Sequence, residues 1–111
     1  MINAEEAVIS YLNEAGFEAY ADVPVERPVE FVTVEATGGA GNLFTASPSM
    51  AIQCWSATRY EASDLARRVR DSLLNIADES EGICSASVNS PYNYTKDNTP
   101  RYQMVLDVVT I

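Results

Sequence analysis

Residues 27–39 read RPVEFVTVEATGG, and residues 50–59 read MAIQCWSATR. Both stretches read as β-strands, in which successive side chains point to opposite faces of the sheet. An amphipathic helical pattern follows from Glu61. Two strands followed closely by a helix predict a sheet with a helix packed on one of its faces.

The period of two assigns the residues of each predicted strand, 29–37 and 50–57, to opposite faces. In the first strand the two sets are Val32, Val34 and Ala36, against Phe31, Thr33 and Glu35. In the second strand they are Met50, Ile52 and Cys54, against Gln53, Trp55 and Ala57.

Two capping boxes predict where helices begin. Asn3 is followed three residues later by Glu6, and Thr58 is followed by Glu61. The first helix is predicted over residues 3–15. The second presents a continuous apolar stripe of Ala62, Leu65, Ala66, Val69, Leu73 and Ile76.

The sole concentration of basic residues lies on the polar face of the second helix, at Arg67, Arg68 and Arg70. Asp64 lies four positions before Arg68, and Asp71 lies four positions after Arg67. Such pairs are typical of a solvated helix face. Local pairing therefore explains this cluster without a nucleic-acid partner.

The rest of the chain completes a single domain, residues 1–111. We predict a weak strand at 17–23, a turn at 78–82, a strand at 83–89, a loop at 90–100 and a strand at 101–111. The predicted fold is α+β, with a mixed, mostly antiparallel sheet of four to five strands and two helices packed on one face. The other face would stay uncovered and would carry an apolar stripe of Phe31, Trp55 and Val105 or Val109, a feature that often marks a partner site.

Residues 38–49 contain three glycines and only two large apolar residues, Leu43 and Phe44. This composition predicts a long flexible hairpin tip, and long loops are often functional. Phe44 would be either tucked back on the sheet or held ready for a partner.

Composition excludes several classes of function. The chain has 111 residues and a net charge of −9, so adhesive binding to phosphate backbones is not expected. Histidine is absent, which removes the commonest general base and the commonest metal ligand. No phosphate-binding loop, serine elbow or Cys–His pair occurs, and the carboxylates are scattered along the chain. We therefore expect no enzyme activity and no cofactor, and regard an all-carboxylate metal site as the weaker alternative.

The two cysteines, Cys54 and Cys84, lack metal-ligand spacing, and we expect both to be reduced, buried and structural. The N-terminus carries no signal-peptide pattern and no apolar run reaches membrane length, so we expect a cytosolic origin and no membrane partner.

The pattern resembles the tail terminator (tail-completion, minor tail protein U-like) proteins of long-tailed phages and prophages. The matching positions are Arg27-Pro28, 31–35, 37–39, 53–56, Thr58-Arg59, Ala62, Leu65 and Ala66. The order of helix, hairpin, helix and two late strands is also similar, so the resemblance spans nearly the whole chain.

The resemblance implies a structural virion protein in the tail or neck, assembled in the bacterial host cytoplasm. It would form a homo-oligomer, a hexameric ring, that caps the tail tube and ends its polymerisation. Its partners would be further copies of itself, the major tail tube protein and the head–tail connector protein, while DNA would pass through the ring without stable binding. The alternatives are another phage neck or head-closure protein, or a non-viral small α/β domain that binds a ligand or a protein.

Eight residues are the candidate interface residues. They are Phe31, Leu43, Phe44, Trp55, Arg59, Tyr92, Tyr94 and Arg101.

Overall fold

A computed structural model of the chain describes residues 3–41 and 46–110. Its helices are α1 (Ala4–Glu14), α2 (Arg59–Leu73) and α3 (Ile76–Glu79). Its strands are β1 (Ala19–Tyr20), β2 (Phe31–Gly41), β3 (Ala46–Trp55), β4 (Ile83–Val88), β5 (Tyr92–Asn93) and β6 (Arg101–Thr110). The predicted α+β class is confirmed.

The strands form one sheet in the order β1-β2-β3-β6-β4, and β5 also pairs with β6. Only β1 and β2 run parallel among the described pairs; the others are antiparallel. The sheet has six strands rather than four to five, because Tyr92 and Asn93 pair with β6 inside the segment predicted as a loop.

The main core lies on the sheet face that the helices cover. Val34 on β2 pairs with Ile52 on β3, and Ile52 pairs with Met104 on β6. All three side chains are fully buried beneath α1 and α2, in a cluster with Leu12 and Leu65. Full burial of one such side chain stabilises the fold by roughly 1.5–3 kcal/mol. The predicted inward faces of these strands are therefore confirmed at their central positions.

Both predicted helix starts are confirmed. The Asn3 side chain accepts a hydrogen bond from the Glu6 N–H at 3.1 Å, and the Thr58 hydroxyl accepts one from the Glu61 N–H at 3.1 Å. The predicted turn at 78–82 begins later than expected, because α3 continues to Glu79.

The prediction of a flexible loop over residues 38–49 is wrong at both of its ends. Gly38 pairs with Ser49 and Gly41 pairs with Ala46, so the hairpin ladder satisfies the backbone groups of this glycine-rich stretch. A register shift between Ala36 and Gly38 introduces a φ of +143° at Gly38, a conformation that glycine adopts readily. Leu43 and Phe44 lie outside the described residues.

The prediction that Cys84 points into the core is also wrong. Ile83 pairs with Thr110 and Ser85 pairs with Val109, so two steps along β4 correspond to one step along β6. Cys84 is the additional residue of this bulge, which reverses the alternation of side chains. Ile83 is consequently buried and Cys84 is exposed.

Candidate functional site

A second, smaller group of buried side chains lies on the sheet face opposite the helices. Phe31 and Trp55 are directly paired across β2 and β3, and their rings stack at 5.3 Å with an interplanar angle of 12°. Tyr20 meets Phe31 edge-on, with ring centroids 6.4 Å apart. Phe31 and Trp55 are only 3% and 6% exposed, so the prediction of an uncovered apolar stripe is wrong at these two residues.

The indole of Trp55 is held in place from both sides. Its Nε1–H donates a hydrogen bond to the Thr33 hydroxyl at 3.1 Å. The guanidinium of Arg101 lies 4.3 Å from the ring centroid, and that of Arg27 lies 5.4 Å away. Both distances fall within cation–π range. The two arginines therefore supply part of the cover over the aromatic pair.

Arg101 is fixed by the chain that precedes β6. Its Nε–H donates to the backbone oxygen of Tyr94 at 3.1 Å, and the Tyr94 N–H donates to the backbone oxygen of Arg101 at 2.9 Å. Lys96 lies 4.3 Å from the Tyr94 ring centroid and donates to the Tyr94 hydroxyl at 3.0 Å. This hydrogen bond and the positive charge of Lys96 lower the pKa of Tyr94.

We call these residues the aromatic–cation cluster: Arg27, Phe31, Trp55, Tyr94, Lys96 and Arg101. They come from the segment before β2, from β2, β3 and β6, and from the loop after β5. Among residues 3–41 and 46–110, the ion pairs involve Arg67 and Arg68, not the three cations of the cluster. The cluster therefore retains positive charge in a strongly acidic chain.

A row of hydrogen-bonded polar side chains continues from the cluster across the open face. Arg101 donates to Gln53 Oε1 at 3.5 Å, and Gln53 Nε2 donates to Gln103 Oε1 at 2.7 Å. Gln103 Nε2 then donates to the Tyr92 hydroxyl at 2.6 Å. This row helps to orient Arg101 and extends a line of polar contacts across the face.

The structure brings together four of the predicted interface residues: Phe31, Trp55, Tyr94 and Arg101. Tyr92 adjoins them, with its ring centroid 6.3 Å from that of Tyr94. Two other predicted residues, Leu43 and Phe44, lie outside the described residues. Arg59 is exposed at the first residue of α2 and makes none of the described contacts of the cluster.

Sequence reasoning missed the contributions of four residues, Arg27, Lys96, Gln53 and Gln103. The period of two placed Gln53 on the same face as Trp55, but only the register of β3 against β6 sets Gln53 opposite Gln103. Lys96 reaches Tyr94 because a tight turn, with positive φ at Asp97 and Asn98, returns the chain toward β6.

The basic residues of α2 are engaged locally, largely as predicted. Arg68 pairs with Asp64 at 3.1 Å and with Glu30 at 3.3 Å. Arg67 also pairs with Asp64, at 3.1 Å, where the sequence suggested Asp71. Arg70 donates to the backbone oxygen of Asn89 at 3.1 Å.

A cleft of about 320 Å³ beside the start of β2 has Glu18 and Glu30 as its ionisable lining residues, and Glu30 is already bonded to Arg68. Across residues 3–41 and 46–110, no three His, Cys, Asp or Glu side chains are placed to hold a metal ion. No helix in the described part of the chain is long and apolar enough to cross a membrane.

A scan against protein-family models gave no match to this sequence. A search of curated proteins found no significant similarity.

Proposed function

We propose that this chain is a structural virion protein of a long-tailed phage or prophage, which caps the tail tube as a ring and joins the tail to the head connector. The proposal starts from the sequence resemblance carried by residues 27–66. The fold has the order of helix, hairpin, helix and late strands on which the resemblance partly rests.

The observation that carries the proposal is the aromatic–cation cluster on the open face of the sheet. Protein interfaces concentrate their binding energy in a few rigid Trp, Tyr and Arg side chains. Trp55 is buried and holds the guanidinium of Arg101, which also donates to the backbone oxygen of Tyr94. This partly exposed cation therefore has little side-chain entropy left to lose on binding. A preorganised surface of this kind suits assembly with another protein.

The charge of the chain is compatible with a passage for DNA. A net charge of −9 disfavours adhesion of a phosphate backbone to most of the surface. In the proposed ring, acidic surfaces would face the lumen, and the cluster would face another protein: a second copy, the major tail tube protein or the connector.

Electron microscopy of the purified protein, alone and mixed with tail tubes, tests this function. We expect closed rings, and rings seated on tube ends. A protein that remains monomeric at every concentration and ignores the tubes contradicts the proposal. Rings that bind a connector but leave tubes bare would instead indicate a neighbouring neck protein.

A further inference from the structure

We propose that the aromatic–cation cluster docks against the α1–α3 end of a second copy of this chain. The inference rests on the proposed ring and names the two surfaces that would form its subunit contact. It is drawn from two groups of like charges that form no ion pair within the described part of the chain, although Glu79 accepts a hydrogen bond from the Tyr11 hydroxyl.

The first group is the positive charge of the cluster. Arg27, Lys96 and Arg101 converge on the rings of Trp55 and Tyr94. The chain has 16 acidic and 7 basic residues, yet no carboxylate lies within ion-pair distance of these three cations in the described structure. A partner with exposed carboxylates would supply the missing opposite charge.

The second group lies between α1 and α3. Glu14, Glu79 and Glu81 line one open concavity of about 220 Å³, and its other lining residues carry no positive charge. Glu14 also stands in the last turn of α1, where a negative charge opposes the helix dipole and no basic residue offsets it. The repulsion among these carboxylates, and between Glu14 and the helix dipole, lowers the stability of the isolated chain. A cation from a partner would reduce both repulsions.

The positions of the two groups determine the type of contact. Tyr11 lines the concavity and belongs to the core on the helix-covered face, whereas Trp55 and Arg101 lie on the open face. The two surfaces are different patches of one chain, built from different elements. A contact that joins the cluster of one copy to the concavity of the next is head-to-tail, the type that closes into a ring or continues as a filament.

Two charge-reversed variants test this docking. The first carries Arg27→Glu and Lys96→Glu, and the second carries Glu14→Lys and Glu81→Lys. Arg67→Glu and Asp71→Lys, both on the exposed face of α2, are the matched controls. Analytical ultracentrifugation in low salt measures assembly, and circular dichroism checks that each variant is folded.

We expect each double variant alone to associate at least about tenfold more weakly than the natural chain, because like charges then meet at the contact. An equimolar mixture of the two variants should assemble again, with alternating composition, since each contact regains opposite charges. The controls should assemble like the natural chain, and salt should weaken every assembly that forms.

The outcomes separate this inference from the proposed function. If the natural chain forms rings and both variants do as well, the docking surfaces are wrong while the ring stands. Loss of assembly in both variants without recovery in the mixture also overturns the pairing. If the first variant forms rings but no longer binds tubes, the cluster's partner is the tube protein. A natural chain that never assembles overturns the ring and the docking together.

Discussion

Phe31 and Trp55 lie opposite each other on β2 and β3 and stack at 5.3 Å on the sheet face that carries no helix. Arg101, the next cross-strand neighbour of Trp55, places its guanidinium over the same indole at 4.3 Å. Three adjacent strands thus contribute one residue each to a rigid group. These three residues belong to the aromatic–cation cluster. The proposed function depends on this cluster rather than on a cavity.

Replacing Thr33 with valine should destabilise the fold by about 1–3 kcal/mol, because the buried Trp55 Nε1–H would lose its acceptor while the packing volume stays the same. Thr33→Ser is the matched control, since it keeps the hydroxyl. Urea unfolding monitored by Trp55 fluorescence measures the difference. Equal stabilities for the two variants would show that the hydrogen bond does not hold the indole.

The core could be predicted from the sequence because local periodicity encodes it. Val34 and Ile52 fall on the inward face whichever strands become neighbours. The N-terminal cap of α2 depends only on Thr58 and on Glu61, three positions later. The extension of both strands into residues 38–49 could not be predicted. A glycine-rich composition favours a loop, and only the pairing of Gly38 with Ser49 shows that the strands continue. The same limit applies to Cys84, which a bulge turns outward.

The candidate site was predictable in its residue types but not in its assembly. Phe31 and Trp55 were assigned to the open face by periodicity, and the structure pairs them there. Their burial could not be inferred, because Arg27 and Arg101 cover them from segments whose positions depend on the strand order.

The two cysteines should differ sharply in reactivity. Cys84 is exposed and should react with a thiol reagent in the native protein, whereas Cys54 is fully buried and should react only on unfolding. Mass spectrometry of briefly labelled native protein checks this. One label per chain, located at Cys84, is the expected result; rapid labelling of Cys54 would contradict the described core.

Burial raises the pKa of the Cys54 thiol well above its usual range. The folded state therefore holds this proton more tightly, and its contribution to stability is complete below the unfolded-state pKa of about 8.5. Stability should fall as the pH rises from there toward the folded-state pKa. Cys54→Ala should cost about 1 kcal/mol or a little more at pH 7 through cavity formation, and its unfolding should lose this particular pH dependence. A parallel pH profile for both proteins would contradict the assignment.

Thr58→Ala should destabilise the fold by about 1 kcal/mol, because the N-terminus of α2 would lose the side-chain acceptor for the Glu61 N–H. Thr58→Ser keeps that acceptor and should remain close to the natural protein. Thermal unfolding compares the three. If serine costs as much as alanine, the methyl group of Thr58 matters rather than its cap.

Duplex DNA should not bind to the isolated protein, even at low ionic strength, where electrostatic attraction is screened least. The reason is the net charge of −9 together with the local pairing of Arg67 and Arg68. Fluorescence anisotropy of labelled DNA measures this. Tight, salt-sensitive binding would contradict the proposed lumen.

The length of tail tubes provides the most direct test of the proposed function. Tube protein of the same phage or prophage is polymerised with increasing amounts of the natural chain, and tube lengths are measured by electron microscopy. We expect tubes to become shorter and more uniform as the protein is added, with a ring at one end of each. Tube lengths that stay unchanged at every ratio, with bare ends, would contradict a role in ending tube polymerisation.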